Sequence, residues 1–200
     1  MRATGFFLFA SAYWALLPLV ARHQVAGGPG LYGLLLGTIG AGAVAGAIVL
    51  PRIKARVGAD RLVAAGSVGT ALALLLFGIA RQPAVAFAAS FIAGVSWIAV
   101  LATLNVSAQV ALAGWVRGRG LAAYATVMFG ATTLGSVLWG EVASQISVPV
   151  AHYAAAACAL AAIPLLRRYR LQTGDQLDLM PSMHWPAPVL FNDIEEDRGP

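Results

Sequence analysis

The sequence predicts an all-α membrane protein, a bundle of six transmembrane helices. Hydrophobic residues make up 60% of the chain and charged residues only 10%, whereas soluble domains carry about 25% charged residues. Long runs without Asp, Glu, Lys or Arg recur along the chain, each close to the roughly 20 residues that cross a bilayer as a helix. The runs are continuously apolar rather than alternating, which favours helices over the strands of a membrane barrel.

The predicted transmembrane domain covers residues 1–170, with spans at 4–21, 31–50, 62–80, 84–112, 121–144 and 148–166. The first span follows an arginine, as in a signal peptide. It lacks a small-residue cleavage site before Arg22 and precedes five more spans, so we interpret it as a retained helix. Pro18 and Pro164 lie within spans and are expected to kink them, because proline has no backbone N–H to donate.

Basic residues between the spans predict the orientation. One side of the bundle carries Arg2 and the basic residues at positions 52, 54, 56, 61, 117, 119, 167, 168 and 170, whereas the other side carries only Arg22 and Arg81. By the positive-inside rule the basic side is cytoplasmic, and both termini lie there. The composition is typical of a bacterial protein, which places the chain in the inner (plasma) membrane. The basic excess is interfacial and does not indicate a nucleic-acid partner.

Residues 171–200 differ from the rest of the chain because they are polar, acidic and rich in proline. We expect them to form an extended cytoplasmic tail, the truncated start of a soluble extension. The single Cys158 lies in the sixth span, which excludes an intrachain disulfide, and we expect it to be a packed core residue.

Small residues in the spans indicate where helices approach closely. Gly33 and Gly37, and then Gly42 and Gly46, stand four residues apart in the second span. The fifth span carries three more glycines, at positions 130, 135 and 140. Such spacing places glycines on one helix face, where a neighbouring backbone can pack against them.

Three segments carry a resemblance to a known family. They are LLPLVAR (16–22), YGLLLGTIGAGAVAGAIVLPRI (32–53) and LNVSAQVALAGWVRGRGLAAYATVMFGATTLGSVLWGEVA (104–143). They resemble the carboxy-terminal half of a major facilitator superfamily transporter, in the branch of transmembrane secretion effectors that includes enterobactin-exporter-like proteins. The resemblance covers nearly the whole chain.

That resemblance implies one six-helix half of a secondary transporter. The implied activity is proton-driven export (efflux by antiport) of a small molecule such as a siderophore, drug or metabolite. Superfamily members have two halves with the substrate between them. The implied partners are therefore the lipid bilayer, the small-molecule substrate and a second six-helix half, supplied by a separate chain or by a homodimer.

The segment GAIVLPRIKARVGADR (46–61) resembles the glycine-plus-basic loop between the second and third helices of each half. The resemblance implies a cytoplasmic hinge and latch formed by Gly46, Arg52, Arg56, Gly58 and Arg61. The pattern departs from the family at Leu50 and Pro51, where an acidic residue is often found. Asp60 either replaces that acid or forms an exposed ion pair with Arg61, worth under about 1 kcal/mol.

Arg117 and Arg119 stand one glycine apart between the fourth and fifth spans. Their first predicted task is to anchor the topology. Their tight spacing suggests a second task, in which they pair with groups of the other half when the cytoplasmic gate closes.

Polar and aromatic residues within spans are candidates for contact with substrate. Asn105 and Gln109 share a face of the fourth helix, either as a hydrogen-bonding strip along the cavity or as interhelical packing, and Thr103 belongs to the same region. Trp14 and Trp97 are expected to line a cavity. Trp115 and Trp139 fit interfacial anchoring instead.

Two titratable residues bear on proton coupling. Glu141 is the only acid within a span and is the candidate proton carrier, provided that burial allows it to bind protons near neutral pH. It stands near the non-cytoplasmic end of its helix, where water has access. His152, at the start of the sixth span, is expected to be interfacial and solvated.

Two other classes remain open at this point. One is a non-transporting membrane fragment or an assembly subunit that needs a second half. The other is an intramembrane serine protease built from Ser136 and His152 on successive helices, although Ser136 lacks a glycine-serine-glycine turn. The sequence holds no metal-ligand cluster, phosphate loop or dinucleotide fingerprint. We therefore expect no enzyme, no cofactor, no metal and no catalytic residue.

Overall fold

The computed structural model describes residues 2–112 and 115–166, and within these ranges it contains helices and no strand. The helices are α1 (Arg2–Leu19), α2 (Gly28–Val57), α3 (Ala59–Ile79), α4 (Pro83–Val110), α5 (Arg117–Gln145) and α6 (Val148–Leu166), with a π-helical segment, Val20–Gln24, directly after α1. The predicted fold class, an all-α bundle of apolar helices, is confirmed. The predicted tail, 171–200, and the three arginines at 167, 168 and 170 lie outside the described residues.

The lengths and compositions of the helices fit a bilayer. Five segments, one for each of α1 to α5, are long and apolar enough to cross a membrane. The apolar part of α6, Val148–Pro164, is shorter. Pro51 lies inside α2, which runs on past the predicted end of its span to Val57.

The helices pack as two equivalent sets of three. α2 packs mainly against α4, and α5 mainly against α1. Behind these pairs α3 packs against α4, α6 packs against α1, and α3 and α6 pack against each other. If α1, α2 and α3 are exchanged with α4, α5 and α6 in that order, every one of these helix pairs is replaced by another pair that is also in contact. Because α1 and α4 run in opposite directions, the two sets have the relation of an inverted repeat.

Glycine lets the backbones touch at equivalent places in the two sets. The Cα of Gly42 in α2 faces the backbone carbonyl of Phe91 in α4, and Gly135 in α5 faces the carbonyl of Leu8 in α1. Gly94 in α4 lies in turn against the backbone of α2. A Cβ atom at any of these three glycines would clash with the main chain of the neighbouring helix. Without a hydrophobic drive between helices in lipid, such close approach is a main source of their association.

Only part of the glycine spacing acts in this way. Gly42 and Gly46 both face α4, but Gly33 and Gly37 have no neighbouring atoms on their open side. In α5 the glycines at 130 and 140 are equally open. Cys158 is exposed rather than packed in the core.

The end of α1 is shaped by Pro18, which lacks the N–H that would continue the α-helical pattern. Two residues later the chain widens into the π-helical segment, where the Val25 N–H donates to the Val20 carbonyl at 3.0 Å. This turn places Gln24 beside α3. Its Nε2 donates to the carbonyls of Phe77 and Gly78 at 3.3 and 3.4 Å and so partners the last turn of that helix.

The glycine contacts give a direct test of the packing. We expect Gly42→Ala and Gly135→Ala each to lower stability by about 1–3 kcal/mol, because the added methyl must push two backbones apart. Gly37→Ala is the matched control in α2: its Cβ meets open space, and alanine favours the helix by about 1 kcal/mol over glycine. The measurement is the thermal unfolding midpoint of the purified chain in detergent. Equal midpoints for Gly42→Ala and Gly37→Ala would contradict the close α2–α4 contact.

Candidate functional site

An aromatic cluster joins α1 to α4 in the middle of the bundle. Trp97 of α4 contacts four rings of α1, with centroid distances between 5.2 and 6.3 Å. We call Trp97 and these four residues, Phe6, Phe7, Tyr13 and Trp14, the aromatic cluster. Trp97 lies at the midpoint of α4, so the cluster sits near the depth at which transporters bind substrate.

The two tryptophans form the accessible part of the cluster. Phe6, Phe7 and Tyr13 are buried, whereas Trp14 and Trp97 are half-buried and meet edge-to-face at 5.5 Å. The indole Nε1 of Trp14 is shielded and has no acceptor among the described residues. The sequence interpretation of Trp14 and Trp97 as cavity-lining residues therefore corresponds to a partly accessible aromatic surface with one hydrogen-bond donor.

The predicted polar strip of α4 lies elsewhere on the helix. Asn105 is half-buried and Gln109 exposed, about 12 and 18 Å further along α4 than Trp97 at 1.5 Å per residue. Thr103 is buried, and its hydroxyl donates to the Ala99 carbonyl of its own helix at 2.7 Å. The structure therefore does not bring this strip together with the two tryptophans.

Thr103 instead borders a groove of about 340 Å³ between α2 and α4. Apolar residues of both helices line most of it, and Lys54 also contributes to its lining. The groove lies at the end of the bundle where α2 finishes and α3 begins. We call this the basic end; the described residues there include Arg2, Arg52, Arg56, Arg61, Arg117 and Arg119.

The segment predicted as a gating loop is almost entirely helical. Gly46 lies inside α2 and packs against Val95 and Ile98 of α4. Arg52 and Arg56 are exposed near the end of the same helix. Gly58 alone separates α2 from α3, with φ of 83° and ψ of 162°, a conformation essentially restricted to glycine. Gly58 is thus the one non-helical residue of the segment 46–61.

Asp60 pairs with a partner that the sequence did not suggest. Its carboxylate accepts a hydrogen bond from the Arg2 guanidinium, 58 residues away in the chain, and forms a salt bridge with it. The sequence suggested an ion pair between Asp60 and the neighbouring Arg61. The salt bridge of Asp60 is instead with Arg2, and Arg61 is exposed. The Arg2 side chain is only 10% exposed. This ion pair ties the first turn of α1 to the first turn of α3.

Arg117 and Arg119 belong to the first turn of α5 and are both exposed. They were expected in the connection between helices, but the helix begins earlier than its apolar span. Positive charge at a helix N-terminus opposes the helix dipole and is unfavourable by about 0.3–1 kcal/mol. Helix stability therefore does not explain their position.

Glu141 lies where water has access, as its place near the helix end suggests, whereas His152 does not have the solvated environment expected for it. Glu141 is exposed on α5, where its carboxylate accepts a hydrogen bond from Gln145. His152 is fully buried rather than solvated, because α6 turns this face toward α3. The imidazole Nδ1 donates to the Val148 carbonyl at 2.9 Å, and the ring lies 5.7 Å from that of Phe77.

One further expectation about a single residue is corrected. Trp139 is not an interfacial anchor: it is 4% exposed, and its Nε1 donates to the Leu8 carbonyl at 2.9 Å, beside the contact made by Gly135. Trp115 is 88% exposed. Ser136 donates to the carbonyl of Thr132 in its own helix at 2.8 Å, so its described partner is not His152.

The fold and these contacts define a class, a polytopic helical membrane protein built from two inverted three-helix repeats, as in secondary transporters. The sequence gives the particular family. The family model described as transmembrane secretion effector matches residues 1–200, and the chain therefore belongs to this family of major facilitator superfamily transporters. A comparison with curated proteins gives no match.

The Arg2–Asp60 ion pair can be measured by a double-mutant cycle. We expect Arg2→Gln and Asp60→Asn to be non-additive by about 1 kcal/mol, the upper end for such pairs, because the arginine is largely buried. Asp60→Asn combined with Arg61→Gln is the control and should be additive. Unfolding midpoints in detergent supply the free energies. Coupling to Arg61 rather than Arg2 would contradict the described contact.

Proposed function

We propose that the chain is a six-helix unit of a secondary active transporter that exports a small molecule, such as a siderophore, drug or metabolite, in exchange for protons. The observation that carries the proposal is the aromatic cluster in a protein of this family. It presents two half-buried indoles and one unpartnered donor at mid-depth of α1 and α4. Apolar and aromatic side chains with a few polar groups are typical of the lining of small-molecule sites.

The proposal includes a second six-helix half. α2 and α5 have the least buried surfaces of the five long helices. Large apolar side chains project from both, among them Leu34, Val44 and Ile48 on α2 and Phe129, Leu134 and Val137 on α5. These faces flank the helices that carry Trp14 and Trp97. A second half docked on them would enclose the aromatic cluster, and rocking of the halves would expose it to each side of the membrane in turn.

The proposed location is a bacterial inner membrane with the basic end in the cytoplasm. The support is the distribution of charge. Among the described residues, Arg22, His23, Arg81 and the buried His152 lie toward the opposite end, and the arginines and the lysine that remain lie at the basic end. The proposed role is transport rather than catalysis, with no metal or cofactor.

Export can be tested in cells that accumulate ethidium or a fluorescent siderophore. We expect efflux when the chain is expressed together with a matching amino-terminal six-helix half, and loss of efflux on addition of an uncoupler. We expect Trp97→Ala to reduce efflux at least tenfold, because it removes the centre of the aromatic cluster, whereas Trp115→Ala leaves efflux unchanged.

The arms of this experiment separate the alternatives. Efflux by the chain alone would indicate a homodimer of halves. Insertion of both halves without efflux would favour an assembly subunit. Efflux that survives the uncoupler would exclude proton coupling but leave export intact.

Arg117 and Arg119 are proposed to act in the cytoplasmic gate as well as in topology. We expect Arg117→Gln combined with Arg119→Gln to lower efflux about tenfold (about 1.4 kcal/mol), because the closed gate loses its pairing groups. Arg22→Gln combined with Arg81→Gln is the matched pair at the opposite end and should have little effect. Labelling of single cysteines from each side of the membrane checks that orientation is kept. Unchanged efflux in correctly oriented protein would refute the gating role.

A further inference from the structure

Three side chains that carry shielded polar atoms contact Phe77, at the end of α3 that lies away from the basic end. The Phe77 ring contacts the Tyr13 ring at 6.3 Å and the His152 ring at 5.7 Å, and its carbonyl accepts from Gln24. The Gln24 Oε1 and the His152 Nε2 are shielded and have no hydrogen-bond partner among the described residues, and the shielded Tyr13 hydroxyl has the Trp14 indole beside it. We call these three side chains with Phe77 the Phe77 cluster.

Such a group of unpartnered atoms is unfavourable for packing alone. Each buried polar atom left without a partner costs about 1–3 kcal/mol, and native proteins contain few of them. Replacement by apolar side chains would remove this penalty. A functional role explains their presence: in another state of the protein these side chains would bind water, a proton or a substrate.

His152 is the member of the cluster that can carry a proton. Since Nδ1 donates to the Val148 carbonyl, the neutral ring leaves Nε2 as an acceptor. Imidazole is also the side chain that normally changes charge between pH 5 and 8. A protonated ring in this packing would be a buried charge without a described acidic neighbour, so proton uptake would favour a different arrangement of α6 against α3.

The surrounding elements bring no competing charge to the cluster. From α1 the titratable neighbour is Tyr13, and from α6 it is Tyr153, whose ring lies against Gly78. Arg22 and His23 in the π-helical segment and Arg81 after α3 are exposed, as is Glu141 on α5. The other acid of the described chain, Asp60, is bound to Arg2 at the basic end.

We infer that His152, rather than Glu141, binds the coupling proton of this transporter unit. One proton is taken onto Nε2 from the side opposite the basic end, held while the helices rearrange, and released toward the basic end as substrate moves the other way. His152 lies about one turn after the start of α6, near that proton-supplying side. The inference rests on the proposed export function and adds the residue that links export to the proton gradient.

The test compares driven export with counterflow. His152→Asn keeps an N–H for the Val148 carbonyl but cannot accept a proton. We expect it to lose uncoupler-sensitive efflux at least tenfold, together with the pH dependence of efflux. It should retain energy-independent exchange of labelled against unlabelled ethidium across vesicles at equal pH. His23→Gln is the matched histidine control at the same end, and Glu141→Gln tests the other candidate; both should behave as wild type.

The outcomes separate this inference from the proposed function. Driven efflux that persists in His152→Asn would overturn the inference and leave export standing. Loss of both driven efflux and exchange, in this variant and in His152→Gln, would assign His152 a structural role and also overturn it. Loss of driven efflux in Glu141→Gln alone would move the proton to Glu141. If the wild-type unit with its second half shows no driven efflux, the proposed function fails and the inference fails with it.

Discussion

The packing of this protein depends on the contact of helix backbones at glycine. In lipid the apolar surfaces of helices gain little from being covered by one another, so close van der Waals contact must supply much of the attraction. Gly42 and Gly135 provide it at equivalent places in the two three-helix sets, each against a backbone carbonyl. Trp139 strengthens the second contact by donating to the same Leu8 carbonyl. These contacts fix α2 on α4 and α5 on α1.

The positions of the functional groups follow from that packing. With the flanking helices held by their glycine faces, α1 and α4 are left to meet through side chains rather than backbones. The space between them is filled by the aromatic cluster, with Trp97 at its centre. The same arrangement turns the large apolar side chains of α2 and α5 outward. An aromatic surface at mid-depth with an apolar helix face on each side fits the proposed half of an alternating-access transporter.

The few charged residues of this chain are distributed unequally between the two ends of the bundle. Arginines gather at the basic end, where the Arg2–Asp60 pair joins the beginnings of α1 and α3. At the other end Arg22, Arg81 and Glu141 are exposed, and uncharged polar atoms are buried around Phe77. A proton arriving there would meet few competing charges, and its effect on helix packing would be correspondingly large. The two ends thus differ in the number of charged side chains and in the polar groups that they bury.

Composition, the lengths of the apolar runs and the resemblance by themselves determined the class, the number of helices and the family of this protein, because a bilayer imposes its thickness on every span. They also pointed to Trp14 and Trp97. Tertiary structure alone decided which glycines make contact, that Asp60 binds Arg2, and that His152 is buried while Glu141 is exposed. These outcomes depend on how each helix is rotated, and nearly uniform apolar sequence carries little rotational information when lipid and protein interior are equally apolar.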